Sequence, residues 1–236
     1  MTTFGLVHGA YHGAWCWEPL AARLRAQGHD VLTVDLPTED PQAGAAEYAA
    51  VAMEAFASAP DDLVLVGHSL AGLTIPVIAE RRPVGRLVFL CAMIPRPGRS
   101  YDEVLAEEPD TIAPLPSEGA SAGPDGEVRW EPEVGAVVFF ADCPADMANW
   151  AAHQLRGQCW KVTREPSPLT AWPAVPRTSI IGKHDAVITP AWSRRVTPSV
   201  LGVVPIELDC GHAPFLSAPD ELARTLIAST DEPVRV

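Results

Sequence analysis

A chain of 236 residues, 47% hydrophobic and 20% charged, is long enough to bury a large apolar core as one soluble globular domain, with or without a small lid. Its formal net charge of −13 argues against nucleic acid and anionic membrane as partners, since both are bound through a basic face. No apolar run approaches the roughly 20 residues of a membrane span, which excludes a helical transmembrane protein.

At the amino terminus Met1-Thr-Thr leads straight into Phe4-Gly-Leu-Val7, with no charged segment ahead of an apolar stretch, so no signal peptide is expected. That run is the first of six short apolar segments, near 3–7, 31–34, 63–66, 86–90, 178–181 and 203–208. Their length and unbroken apolar character predict buried parallel strands. After the first comes the glycine-broken loop His8-Gly-Ala-Tyr-His-Gly-Ala-Trp15. His8 and His12 stand four apart, a metal-ligand spacing only on a helix, so no metal is expected there. A helix follows, with Pro19 just inside its start, Leu20 and Leu24 on one face and Gly28 after its last turn. Residues 45–58 predict a second. A third follows Ser69, where Pro76 is expected to kink it by removing a backbone donor. The last runs from Pro219 to Ser229, with Ser217 and Asp220 placed for capping. Strands alternating with helices predict an α/β fold built on a doubly wound, mostly parallel six-stranded sheet.

One interval breaks that rhythm. Roughly 85 residues separate the strand ending near Leu90 from the one starting near Thr178, where a crossover needs only about a dozen or more. The stretch opens with Pro95-Arg-Pro-Gly98 and closes with Pro166, Pro168, Pro173 and Pro176, which is linker chemistry. It reads as a helical cap at 97–172, inserted into a core formed by 1–96 and 173–236. Within it, 109–126 is rich in turns and 133–156 is more helical. Five scattered cysteines, Cys16, Cys91, Cys143, Cys159 and Cys210, have neither disulfide density nor metal spacing, so reduced thiols in a cytoplasm are expected.

Chemistry concentrates in Leu63-Val-Leu-Val-Gly-His-Ser69-Leu-Ala-Gly72, an apolar strand ending in small residues around one serine. Small residues at Gly67 and Ala71 let a strand and a helix close tightly and lift a serine hydroxyl clear of the backbone. The pattern, G-x-S-x-A, is a nucleophile elbow with alanine at its fifth position. A serine hydroxyl is a weak nucleophile and needs a base, and the base needs an acid to orient it. Ile180-Ile-Gly-Lys-His-Asp185 ends one strand with a carboxylate, and Leu208-Asp-Cys-Gly-His212 ends the last with an imidazole. Each has a bland alternative, a turn former or an ordinary buried histidine, but the order Ser69, Asp185, His212 at strand ends predicts a catalytic triad. An oxyanion hole requires backbone N–H groups, assigned to Ala10 in the first loop, with Gly9 permitting close approach, and to Leu70 after the nucleophile. His68 reads as a packing and hydrogen-bonding residue rather than a second base, and Cys91, at another strand end, as a core-packing or pocket-lining residue.

The loop His8-Gly-Ala-Tyr-His-Gly-Ala-Trp15, the elbow, and Gly211-His-Ala-Pro-Phe-Leu-Ser-Ala-Pro219 together resemble the hydroxynitrile lyase and plant methylesterase branch of α/β-hydrolases, as a small bacterial-type esterase. Phe139-Phe-Ala-Asp-Cys-Pro-Ala-Asp146 with Leu155-Arg-Gly-Gln158 is similar to the lid of that branch. The resemblance implies an α/β-hydrolase fold, cleavage of small carboxylic esters through an acyl-enzyme, no cofactor, and a homodimer as an open question. Lyases of the branch carry a lysine after the catalytic histidine and a threonine in the oxyanion loop, where this chain has Ala213 and Gly9. Substrate-binding candidates are Gly9, Tyr11, Trp130, Phe139 and Ala213. Lyase or other carbon–carbon cleavage, lactone chemistry on the same triad, and a non-catalytic small-molecule receptor are the alternatives.

Overall fold

Side chains on a strand alternate between the two faces of its sheet, and here both sets are apolar. In the computed structural model, which describes residues 1–231, the chain forms β1 (Thr3–Val7), α1 (Glu18–Ala26), β2 (Asp30–Val34), α2 (Ala45–Ala55), β3 (Val64–His68), α3 (Ile75–Arg81) and β4 (Arg86–Leu90). The long insertion carries α4 (Tyr101–Glu107), a hairpin of β5 (Ala120–Ala122) and β6 (Val128–Trp130), α5 (Pro132–Phe139), α6 (Ala145–Ala152) and α7 (Lys161–Arg164). Then follow β7 (Arg177–Gly182), α8 (Pro190–Val196), β8 (Ile206–Leu208), α9 (Pro214–Ser217) and α10 (Pro219–Asp231).

Six of these strands lie in the order β2-β1-β3-β4-β7-β8, every pair parallel. The alternation is explicit in β3 and β4. Leu65, Leu87 and Phe89 face α2, α3 and α8 through Tyr48, Ala52, Ile78 and Trp192. Val64, Val66, Val88 and Leu90 face α1 and α10 through Leu20, Leu24, Leu222 and Leu226. Helices thus cover both faces, and the doubly wound sheet expected from the sequence is the one observed.

Three local expectations are corrected. The backbone after Ser69 makes a 3₁₀ turn, Ser69–Leu73, and α3 starts afresh at Ile75. Pro76 therefore sits in a first turn, where its missing N–H costs nothing, and starts a helix rather than kinking one. The last strand begins at Ile206, because Pro205 has no N–H to give a ladder, and Val204 before it is 81% exposed. Ser217 and Asp220 are also used otherwise than as caps: Ser217 Oγ donates to Ala213 O, and Asp220 pairs with Arg23. The hairpin of β5 and β6 was not foreseen. Its first strand is wholly exposed, so no hydrophobic alternation announces it.

The insertion is tied down over the carboxyl ends of the strands. Arg156 N donates to Tyr11 O at 2.7 Å, Cys159 N to Thr38 O at 2.7 Å, and Gln158 Nε2 to the buried Tyr48 hydroxyl at 3.0 Å. Beneath it the turn after Ser69 lies so close to the segment following β4 that a Cβ at Gly72 would sit 2.0 Å from Met93 O. Gly72→Ala is therefore expected to force backbone apart and cost about 1–3 kcal/mol, visible as a lowered melting temperature.

Candidate active site

The chain leaves β1 toward β2 on one side, while β3 lies on the other, which makes the carboxyl ends of β1 and β3 a topological switch point. At this edge β1 runs into His8 and Gly9, β3 into Ser69, β4 into Cys91, β7 into the turn of Asp185, and β8 into the loop of His212. Among the described residues the non-glycine positions with left-handed φ are Tyr11 at 65°, Ser69 at 51° and Cys91 at 45°. All three stand at this edge. Such conformations each cost on the order of 1–3 kcal/mol and persist where the surroundings over-determine them. For Ser69 the surroundings are tight: a Cβ on Gly67 would meet Ile75 Cγ2 at 2.9 Å and Ala71 O at 3.0 Å.

Asp185 and His212 form a buried ion-pair geometry, with side chains 2% and 3% exposed. His212 Nδ1 lies 3.0 Å from Asp185 Oδ1 and 2.9 Å from Oδ2. Asp185 Oδ1 also accepts the N–H groups of Val187 at 2.8 Å and Ile188 at 3.0 Å, which fixes the carboxylate plane. A carboxylate only accepts, so His212 Nδ1 carries a proton. Ser69 is 6% exposed. Its Oγ makes no hydrogen bond among the described residues, nor does His212 Nε2. Catalytic contacts of this kind often tighten only around a substrate.

The loop of His212 is held from several sides. His68 Nε2 lies 2.9 Å from His212 O, and Gly211 N donates to Asp142 Oδ2 at 2.5 Å. Lys183 N and His184 N reach Leu208 O and Cys210 O at 2.9 and 3.0 Å. Of these contributors Asp142 carries no local sequence signal. Asp142 sits on the insertion, and only the fold brings it to Gly211. Cys91 Sγ, Asp185 and His212 offer polar atoms within 4.8 Å of one another, and burial together with the Asp185 charge pushes the Cys91 thiol well up, keeping it protonated. His68, expected from sequence to pack and hydrogen-bond, does so as a support of the His212 loop.

The remaining predicted positions divide. Gly9 lies against Ser69, since a Cβ there would stand 2.8 Å from Ser69 Cβ. Tyr11, Trp130 and Phe139 do cluster: ring centroids of Tyr11 are 6.3 Å from Trp130 and 5.6 Å from Phe139, and Trp160 joins at 5.8 Å. Ala213 is fully buried in the apolar layer with Phe215 and Leu216. A cavity of about 150 Å³ opens beside His212, bounded by Phe139, Asp142 and His184.

Three histidines lie buried behind this edge. Burial pushes His8 down from 6.5 to about 4 and His12 to about 3, and drives His68 well below 6.5 with help from its histidine neighbours. All three are neutral in the folded chain, whereas unfolded histidines take protons near pH 6.5. The unfolded state therefore binds more protons below that pH, and stability falls as pH drops from about 6.5 toward 4. Each ring contributes up to roughly 1.4 kcal/mol per pH unit in that window. Thermal melts between pH 7 and 4.5 are expected to show a steep loss, shallower in His12→Phe.

Residues 6–225 match a family model described as the alpha/beta hydrolase family. The chain is similar to a carbendazim hydrolyzing esterase of Nocardioides sp. (strain SG-4G), 28% identical over 250 residues covering 97% of this chain and 99% of that protein. Esterase PIR7B of Oryza sativa subsp. japonica is 30% identical over 255 residues, covering 95% and 94%. Probable esterase PIR7A of Oryza sativa subsp. indica is 39% identical over 122 residues, a match spanning 47% of this chain and about half, 46%, of that relative. Among solved structures, a pyrethroid hydrolase from Sphingobium faniae JZ-2 superposes with a TM-score of 0.80 at 25% identity, covering 98% of both chains. Polyneuridine aldehyde esterase, at 24% identity, shares the fold with a TM-score of 0.81, over 98% of this chain and all of that one.

Proposed function

The chain belongs to the alpha/beta hydrolase family, and from that membership we propose that it hydrolyses small, largely apolar carboxylic esters through a serine acyl-enzyme. The observation that carries this reading is the buried Asp185–His212 pair, set on the same sheet edge as the strained Ser69. In this reading Ser69 Oγ attacks the ester carbonyl while His212 Nε2 takes its proton. Collapse of the tetrahedral intermediate expels the alkoxide, which the imidazolium protonates. Water, activated by the same imidazole, then attacks the acyl-enzyme and frees the acid. Asp185 steadies the imidazolium throughout, and the N–H groups of Ala10 and Leu70 stabilise each oxyanion. The segment 97–172 serves as the cap over a core of 1–96 and 173–236. The cavity beside His212 has room for a small group such as a phenyl ring or short chain.

The lyase alternative is disfavoured by two positions. A threonine at position 9 would press its Cβ onto Ser69, and a lysine at 213 would bury an ammonium in an apolar layer. Lactones, being cyclic esters, are compatible with the same steps. No helix among the described residues is long and apolar enough to cross a membrane, and all five cysteines are unpaired. Reduced thiols support a cytoplasmic location. Whether the protein dimerises is open to a native-mass measurement.

The test is turnover of p-nitrophenyl acetate and butyrate with both products identified. Free acid plus alcohol is expected. Release of an aldehyde or ketone from a cyanohydrin, with no ester cleaved, would move the protein to the lyase chemistry.

A further inference from the structure

Gly9 and Ala10 lie in a loop with no regular backbone ladder, yet an oxyanion donor must be aimed before the reaction begins. What aims it is visible in the hydrogen bonds of His8. That ring is fully buried and engaged at both nitrogens. Leu36 N lies 3.0 Å from Nε2, and Gly9 O lies 2.8 Å from Nδ1. A backbone N–H can only donate, so Nε2 holds the lone pair, and Nδ1–H donates to the Gly9 carbonyl.

The peptide joining Gly9 to Ala10 is planar and trans, so its C=O and N–H point in opposite directions. Holding the Gly9 oxygen away from the site therefore turns the Ala10 N–H toward it. That N–H has no acceptor among the described residues. The second donor is set in the same manner: Ser69 O accepts from Met93 N at 3.0 Å, which turns the Leu70 N–H the other way. One carbonyl is anchored by a backbone amide, the other chiefly by a side chain. His12 N also reaches Gly9 O, at a longer 3.4 Å.

We propose that His8 is a positioning residue that aligns the Ala10 N–H for oxyanion stabilisation by clamping the Gly9 carbonyl. The proposal rests on the serine-hydrolase reading above. It makes His8 more than a buried packing residue, because the tautomer, not only the volume, matters.

Two substitutions separate the two hydrogen bonds of the ring. His8→Asn places an amide donor near the Nδ1 position and gives up the contact to Leu36. His8→Gln places an acceptor near the Nε2 position and gives up the donor to Gly9. His8→Gln is expected to lower kcat by roughly 10–100-fold, a fraction of the 10²–10³ lost when an oxyanion donor is removed outright, with KM little changed. His8→Asn is expected to recover most of that loss. Within His8→Gln alone, affinity for a trifluoromethyl ketone, which forms an anionic adduct on Ser69, should fall in parallel with kcat. Affinity for the neutral product alcohol should hold. The proposal is overturned if both variants lose kcat equally, if neither loses it, or if ketone and alcohol affinities fall together, since each marks loosened packing. Absence of ester turnover and of ketone binding in the unaltered protein would bring down the hydrolase reading, and this proposal with it.

Discussion

Ser69→Ala is expected to lower kcat for p-nitrophenyl butyrate by about 10⁴–10⁶-fold while leaving the melting temperature nearly unchanged. The two halves of this prediction come from the same observations. Ser69 supplies the proposed nucleophile, and without it His212 has no proton to take and no acyl-enzyme can form. Residual rate would come from the oxyanion donors and binding alone. Yet Ser69 Oγ makes no hydrogen bond among the described residues, so its removal leaves no buried partner among them unsatisfied. Alanine occupies the same Cβ position and bears the same left-handed φ of 51°. Kinetic assay and thermal melt of the one variant check both halves. A large loss of stability would assign Ser69 a structural role instead.

Asp185→Asn is the second large effect, expected at about 10⁴-fold in kcat. Its size follows from which oxygen is already spoken for. Asp185 Oδ1 accepts the N–H groups of Val187 and Ile188, so an asparagine must put its carbonyl oxygen there. Its amide then falls at the Oδ2 position, 2.9 Å from His212 Nδ1, leaving only the Oδ1 position, 3.0 Å away and already shared with two N–H groups, to accept. A donor replaces the nearer acceptor of Nδ1–H, which favours the imidazole tautomer that carries its proton on Nε2. The nitrogen meant to receive the serine proton then already holds one. Pre-steady-state acylation rates check this, because the defect lies in proton acceptance rather than substrate binding. An effect below about tenfold would mean that Asp185 does not set the tautomer.

Much of this was legible in the sequence, and the reason is local. Buried parallel strands are short apolar runs, and five of the six lie within a residue or two of where Val31–Val34 and its counterparts suggested. The serine elbow is also local: Gly67, Ser69 and Ala71 are required by one tight turn. The order of Ser69, Asp185 and His212 could be read because each follows a strand, and parallel strands present their ends at one edge. What could not be read depends on contacts between distant segments. Asp142 meets Gly211 across 69 positions, and nothing near Asp142 distinguishes it from a solvated surface carboxylate. His8 looked like one of two loop histidines, and its role appears only when Leu36 N–H is found on the other side of the ring. The hairpin of the insertion is exposed and carries no alternation. Pro76 and Pro205 depart from expectation for one reason: the missing N–H of proline marks where an element starts as readily as where it breaks.

The proposed chemistry depends above all on Ser69 as the activated nucleophile of this chain. Intact-mass analysis after brief exposure to a serine-directed fluorophosphonate, with peptide mapping of the adduct, tests it most directly. A single adduct on the Ser69 peptide is expected, absent in Ser69→Ala and strongly slowed in His212→Ala. A folded protein that takes up no label at Ser69, or takes it up as fast without His212, would contradict it.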